Sequence, residues 1–298
     1  MTVELALGTY RCRDVAAAVR MAAAQGAAWV DTAPNYAGGR AETLLSTALS
    51  EWPALKVSTK VGYIPAGAMH DGVRAGALSA EEAERGHSLS SAYIAWQVAR
   101  SRHALGRAPD LVFLHNPEHG LADTDLGDRL YQAFATLEAA CDQHGIPGYG
   151  ISTWTGFARK TFDLPALLET ATRAGGRQHR FRAVQLPVSV VHLAPIAQAL
   201  DGYGVLVDAE EAGIQVFASA PLHGGEVPDM IHPDLAALIW PGAGTAQAAL
   251  AVAASAPGVN RVLLSTNNTE HWAQAAAAVG RLPLPPDVLR RVVDVLGT

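Results

Sequence analysis

The chain has 298 residues, 49% apolar and 17% charged, which is enough for a large core and excludes a disordered polymer. Its formal net charge of −6, with no basic run or stripe, argues against a nucleic-acid or anionic-membrane surface. No apolar run reaches membrane-spanning length, the N-terminal "MTVELALGTYRCRD" lacks a basic segment followed by a long apolar core, and Cys12 and Cys141 are too few and too far apart for a disulfide framework, so an untargeted cytoplasmic protein is expected.

The first apolar run is "ELALGTY" from Glu4, followed by "DVAAAVRMAAAQG", a helix with Asp14 as its N-cap candidate and Gly26 as its stop. "AAWVD" from Ala27 and "LKVSTK" from Leu55 are the next two strands. A helix from Ser90 to Leu105 puts Ile94, Val98 and Leu105 on one face and ends at Gly106. "DLVFLH" from Asp110 follows, then a helix from Leu126 whose Leu130, Phe134, Leu137 and Cys141 share a face before Gly145. Next come "GYGIST" from Gly148, a helix opened by Pro165, "RAVQLPV" from Arg182, "GIQVFASA" from Gly213 and "RVLLST" from Arg261. Eight strands alternating with helices and no Pro/Ser-rich linker predict an α/β chain, a closed (β/α)8 TIM barrel running as one domain over 1–298. A doubly wound sheet is the alternative, but no G-x-G-x-x-G follows any strand. Two long connections, at about 61–87 and 223–244, fall on the catalytic face of such a barrel, as a lid or as solvated surface loops.

The strand ends carry the chemistry. Strand two ends in Asp31, strand three in Lys60 and strand four in His115, while Tyr36 follows strand two. Each has an ordinary structural reading alone: a turn cap, a solvated strand-end charge, a hydrogen-bonded turn histidine. On adjacent barrel strands they converge on one rim. An Asp paired with a partly buried Lys keeps it charged, and a charged Lys beside a tyrosine is expected to lower the tyrosine pKa, making a general acid usable near neutral pH. A histidine opposite can hold a carbonyl oxygen or relay a proton. Tyr10, Tyr63, Asn116 and Trp154 follow strands one, three, four and five and are expected around the reacting carbonyl.

Taken in order, "LALGTY", "VDTAPNYAGGRAE", "VSTKVG", "LHNPEH", "YGISTWTGF", "VQLPVSV" and "FASAPLHGG" resemble an aldo-keto reductase over nearly the whole chain. The resemblance implies NAD(P)H-dependent reduction of a carbonyl on a small or medium organic substrate, with Asp31, Tyr36, Lys60 and His115 as the catalytic tetrad and Tyr36 as proton donor. It also implies an extended dinucleotide, NADP(H) or NAD(H), bound without a Rossmann motif by Gly8, Thr9, Ser152, Thr153, Gln185, Ser219, Pro221, Leu222, Gly224, Ser265, Asn267 and Gln274. Ser152, Thr153 and Gln185 match the positions that hold the nicotinamide carboxamide. The chain departs from the family pattern in two places. Many members carry an aromatic platform in "A-Y-S-P-L", where this chain has Ala218, Ser219, Ala220, Pro221 and Leu222. Asn267 stands near the place of a phosphate-binding Arg, and Gln274 and Ala275 near that of a Glu-Asn pair. With no local cation read, and Glu270 assigned to capping, weak dinucleotide affinity and a small NADPH preference are expected. The start at strand one and the short tail beyond Leu282 imply neither a barrel-closing hairpin nor a long C-terminal substrate loop.

Three other chemistries are conceivable for these residues. "HNPEH" is neither H-E-x-x-H nor H-x-H, so no catalytic metal is expected. Lys60 as a Schiff base would make a lyase. A regulatory barrel that binds cofactor with little turnover is the third.

Overall fold

A computed structural model describes residues 3–119 and 125–297; the outermost residues of the expected 1–298 domain lie outside the described residues. All eight expected strands form: β1 (Glu4–Gly8), β2 (Trp29–Asp31), β3 (Lys56–Val61), β4 (Leu111–His115), β5 (Tyr149–Ser152), β6 (Phe181–Pro187), β7 (Gln215–Ser219) and β8 (Val259–Leu264). They are parallel and pair in sequence order, and β8 returns to β1, closing the barrel and removing both sheet edges.

Side chains alternate along each strand. One set fills the barrel interior, where Ala6, Trp29, Leu111, Phe113, Ala183, Phe217 and Leu263 pack together, the rings of Trp29 and Phe113 each meeting Phe217 edge-on at 5.4 Å. Each such aromatic side chain, taken fully out of water, contributes about 1.5–3 kcal/mol. The other set packs outward against the helices.

The helices are α1 (Val15–Ala24), α2 (Ala41–Glu51), α3 (Met69–Arg74), α4 (Ala80–Arg85), α5 (Ser91–Leu105), α6 (Leu126–His144), α7 (Leu164–Gly175), α8 (Ala194–Leu200), α9 (Val205–Ala212), α10 (Val227–Met230), α11 (Pro233–Ile239), α12 (Thr245–Ser255), α13 (Thr269–Val279) and α14 (Pro286–Leu296). Asp14 caps α1 by accepting from the Ala17 amide at 3.0 Å, and α5 and α6 stop at Gly106 and Gly145, both left-handed. Asn268, not Glu270, caps α13: its side chain accepts from the Glu270 and His271 amides at 2.8 and 3.2 Å. A short Asn oxygen reaches back to amides from the N-cap position, whereas Glu270 already lies inside the first turn.

Both long connections are more ordered than surface loops. The one after β3 holds α3 and α4, and α4 opens with a capping box between Ser79 and Glu82. Its ends are joined by the Tyr63–His87 bridge and by hydrogen bonds from Ile64 to Gly86 and Ser88 to Gly62, each 2.9 Å. The connection after β7 holds a 3-10 turn, His223–Gly225, then α10 and α11. Among the described residues no helix is long and apolar enough to cross a membrane.

Candidate active site

Register places the chemistry. Asp31 pairs with Ser58, Lys60 with Phe113, His115 with Ser152, and Ser152 with Gln185, so neighbouring strands deliver polar side chains to one end of the barrel. Lys60, 1% exposed, donates from Nζ to Asp31 Oδ2 at 2.5 Å and to the Thr32 carbonyl at 2.8 Å. The other Asp31 oxygen accepts from Ser58 Oγ at 2.7 Å, and Ser58 accepts from Trp29 Nε1 at 3.0 Å. The acid that closes an apolar strand is therefore satisfied by a chain of donors running down into the barrel core, not by a turn.

Tyr36 sits in a 3-10 turn, Tyr36–Gly39, and its ring centre lies 5.0 Å from Lys60 Nζ. His115 meets that ring edge-on at 6.1 Å, and Tyr10 packs against it at 5.2 Å. Gly62, directly after β3, runs at φ +142 against His115; a Cβ there would lie 2.8 Å from the His115 carbonyl oxygen, so only glycine lets the chain pass. His87 Nε2 donates to that same carbonyl at 2.8 Å, which fixes the backbone behind His115.

The protonation states follow from burial. Burial pushes the Tyr36 phenol well above its ordinary value, and the negative charge of Asp31 adds to the rise. This corrects the expectation that Lys60 lowers the Tyr36 pKa: desolvation of the phenol decides the direction, and Asp31 acts the same way. Burial likewise lowers Lys60 against the opposing pull of Asp31. Burial, then the Lys60 charge, drives the His115 imidazole well below its ordinary value, so that ring is neutral at physiological pH. The arrangement is a protonated phenol and a neutral imidazole facing one cavity, a pair able to give a proton and a hydrogen bond to a single oxygen.

That cavity, of about 610 Å³, opens at the barrel mouth. It is lined by Asp31, Tyr36 and His115, by all four expected substrate-side residues (Tyr10, Tyr63, Asn116 and Trp154), and by Gly8, Ser152, Thr153, Gln185, Ser219, Pro221, Leu222, Gly224 and Ser265. Lys60 lies beneath it. Thr9 is not a wall residue: it is 1% exposed, and its hydroxyl is held under the floor between the Asp31 carbonyl and Thr32 Oγ1, 3.1 and 2.8 Å away. Asn267 and Gln274 do not line the cavity either. Asn267 donates to the Asp14 carbonyl at 2.5 Å and accepts from Cys12 Sγ at 3.4 Å, and Gln274 donates to Glu270 at 3.2 Å. Asn267 is turned aside by its loop, and Gln274 by an i,i+4 contact within α13.

Ser152 Oγ donates to Gln185 Oε1 at 2.6 Å, leaving Gln185 Nε2 buried without a protein acceptor. A buried amide donor held in this way fits a carboxamide oxygen. Thr153 is different: its hydroxyl donates to Glu118 Oε1 at 2.5 Å and accepts from the Gly156 amide at 2.8 Å, so its polar capacity is spent inside the protein. Arg11, Asn35, His223 and Glu226 also line the cavity and were missed from sequence. Arg11 directly follows Tyr10 on the same strand-end loop, so the rule that singled out Tyr10 could have found it. Six described non-glycine residues have positive φ (Arg11, Ala37, Asn116, Lys160, Ala220 and His223), and Arg11, Asn116, Ala220 and His223 line the cavity, placing strained backbone at the mouth. Among the described residues no cluster of three or more His, Cys, Asp or Glu is placed to hold a metal ion.

A parallel barrel whose strand ends hold a buried acid–lysine pair under a tyrosine, opposite a neutral histidine, defines a class of proton-transferring barrel enzymes. Within that class, residues 2–237 match the model of the aldo/keto reductase family, and the chain belongs to it. Solved structures with the same fold include an aldo-keto reductase from Bacillus halodurans in its holo form (17% identity, TM-score 0.72, covering 98% of this chain and 92% of that one). Another is an aldo-keto reductase from Klebsiella pneumoniae in complex with NADPH (20%, TM-score 0.66, 99% and 91%). A further Klebsiella pneumoniae structure holds NADP and acetate (19%, TM-score 0.69, 99% and 92%). No curated protein matches the chain.

Proposed function

We infer that the protein is an NAD(P)H-dependent carbonyl reductase acting on a small or medium aldehyde or ketone. The observation that carries this reading is the buried Lys60–Asp31 pair under Tyr36, opposite His115, at the foot of a cavity whose wall offers the unpartnered Gln185 amide. The family and its NADPH- and NADP-bound structural neighbours support the same cofactor here.

The dinucleotide supplies hydride when bound. Tyr36 holds the proton that the carbonyl oxygen receives, and burial keeps it there until transfer. His115 Nε2 or Nδ1, neutral, donates a hydrogen bond to the same oxygen and polarises the carbonyl. Lys60 and Asp31, held together at 2.5 Å beneath the ring, fix the floor against which the phenol is placed, and Asp31 helps to keep the proton on Tyr36 until transfer. Gln185, oriented by Ser152, would hold the nicotinamide carboxamide, and Gly8, Ser219, Pro221, Leu222, Gly224 and Ser265 would shape the groove for the rest of the cofactor. Tyr10, Tyr63, Asn116 and Trp154 surround the reacting carbonyl, and the connections at 61–87 and 223–244 form the rim.

Lyase chemistry through Lys60 fits less well, because its Nζ is held by two acceptors and lies outside the cavity wall. The net charge of −6 supports action on small molecules rather than on nucleic acid, and the free Cys12 and Cys141 fit a reducing cytoplasm. The test is loss of NADPH absorbance over a panel of aldehydes and ketones, with borohydride trapping and intact mass as a control for Schiff-base formation; turnover without an adduct supports the reading, and an adduct at Lys60 without turnover refutes it.

A further inference from the structure

Trp154 poses a physical problem. Its side chain is 45% exposed at the cavity mouth, yet it is fixed from two directions. Its backbone is held by Glu118, whose Oε1 accepts from the Trp154 amide at 3.1 Å, the Thr155 amide at 3.0 Å and Thr153 Oγ1 at 2.5 Å. Three donors on one carboxylate oxygen make a strong, charge-assisted clasp. Its ring is held by two imidazoles, His192 edge-on at 5.4 Å and His223 at 6.4 Å, themselves 5.5 Å apart. An indole ordered on both sides and still open on its outer face contributes little to the core; its order is useful only to something that enters the cavity.

Glu118 also ties two loops together. It stands three residues after His115, beyond Asn116, which is held at φ 47, and Pro117, and it reaches across to the turn that follows β5. The segment that leaves β4 after His115 is therefore tied to the turn that bears the indole. We propose that Glu118 is a positioning residue for this reaction: through Trp154 it sets the wall on which the planar part of a ring-bearing carbonyl substrate lies, so that the carbonyl reaches Tyr36 and His115. The proposal rests on the carbonyl-reductase reading above.

Glu118→Ala and Glu118→Gln are compared with the parent enzyme and NADPH, using benzaldehyde as a flat probe and butanal as an open-chain one. Glu118→Ala is expected to raise the benzaldehyde KM by about tenfold or more, while kcat, the butanal KM and the NADPH Kd change by less than about threefold. Glu118→Gln keeps an acceptor oxygen and recovers most of the lost KM. Equal losses on both aldehydes, a fall in kcat alone, or no recovery by Gln would overturn the proposal. Trp154→Ala, at an exposed position, is expected to raise the benzaldehyde KM at least as much as Glu118→Ala; a smaller effect would rule out the route through Trp154. A readout without turnover is acrylamide quenching of Trp154 fluorescence, taken as the difference between each protein and its Trp154→Phe counterpart. Quenching rises in Glu118→Ala and stays near the parent in Glu118→Gln if the clasp acts as described; unchanged quenching overturns it whatever the activity. A protein that shows the quenching change but reduces neither aldehyde counts against the carbonyl-reductase reading and leaves the clasp standing.

Discussion

The two sides of the cavity are built differently. On the side of β2 to β4, Asp31, Ser58, Lys60 and His115 are strand residues, each at most 8% exposed and fixed by register to its neighbours. On the side of β7 and β8, the groove is formed by loop residues such as Ala220, His223 and Gly224, with positive φ and partial exposure. Strands set positions to within a hydrogen bond, whereas loops set them by local partners that vary with every residue. Chemistry that needs sub-ångström placement sits on the first side, and binding that tolerates adjustment sits on the second.

The comparison breaks most directly at Tyr36. Tyr36→Phe removes one hydroxyl at the mouth, outside the packed core, and is expected to lower carbonyl reduction by roughly a hundred- to ten-thousand-fold with dinucleotide Kd unchanged. Steady-state rates beside a binding titration check it; activity within a factor of about three of the parent would remove Tyr36 from the acid role.

Next is the pair beneath it. Lys60→Met leaves the Asp31 carboxylate buried without its cation, which costs about 3–5 kcal/mol when a buried ion pair loses one partner. Denaturant unfolding of Lys60→Met, Asp31→Asn and the double variant measures this, and the double variant is expected to be less destabilised than the sum of the singles. Strict additivity would mean that the two groups are independent, contrary to their 2.5 Å contact.

Legibility follows the same division. Asp31, Lys60 and His115 could be read because each ends an apolar run of fixed period, and period places a residue on the rim before any coordinates exist. Thr9 lies under the floor and not in the wall because its hydroxyl turns down toward Asp31 and Thr32, a choice made by hydrogen bonding rather than by period. Asn267 and Gln274 likewise lie outside the cavity wall, each held by a hydrogen-bond partner that period does not specify. Glu118 carries no pattern at all: its role exists only once the β4 and β5 loops meet. The helix α4 did carry a signal, since Ser79 and Glu82 stand at capping-box spacing, but six residues are too few for helical periodicity to appear. The direction of the Tyr36 shift is not legible in the sequence because it is set first by how far the phenol is desolvated, a property of the folded mouth.

The protonation states sharpen the contrast through pH. Because Tyr36 ionises well above its ordinary 10.0, reduction is expected to hold its rate as pH rises through the neutral and mildly alkaline range, while alcohol oxidation, which needs the phenolate, climbs. Because His115 is protonated only well below its ordinary 6.5, no loss from imidazole protonation is expected as pH falls through that value. Initial rates of the two directions, from about pH 6 to about pH 10, decide it; a reduction rate that falls by half near pH 7.5 or so would place a titrating group on the first side that burial does not account for.

The smallest effect belongs to the loop side. Preference for NADPH over NADH needs a cation at the 2′-phosphate, where an arginine can make two parallel charge-assisted bonds that an amide cannot replace. Asn267 is spent on Asp14 and Cys12, Asn268 on capping α13, and Gln274 on Glu270. Arg261 pairs with Glu4 and stacks 4.4 Å from Trp29 in the barrel core, and Arg281 stacks 4.4 Å from Trp240. Arg11 does line the cavity: it lies over Tyr10 at 5.4 Å, beside the substrate end, and approaches Gly224 on the opposite loop. The expected gap between NADPH and NADH is therefore less than about tenfold, or roughly 1.4 kcal/mol. Arg11→Ala is expected to weaken both dinucleotides by similar factors and leave the gap as it was. Calorimetric dissociation constants for the two dinucleotides, at one ionic strength, measure both effects. A preference near a hundredfold that vanishes in Arg11→Ala would put the guanidinium at the 2′-phosphate, and the loop side would then be as sharply specified as the strand side.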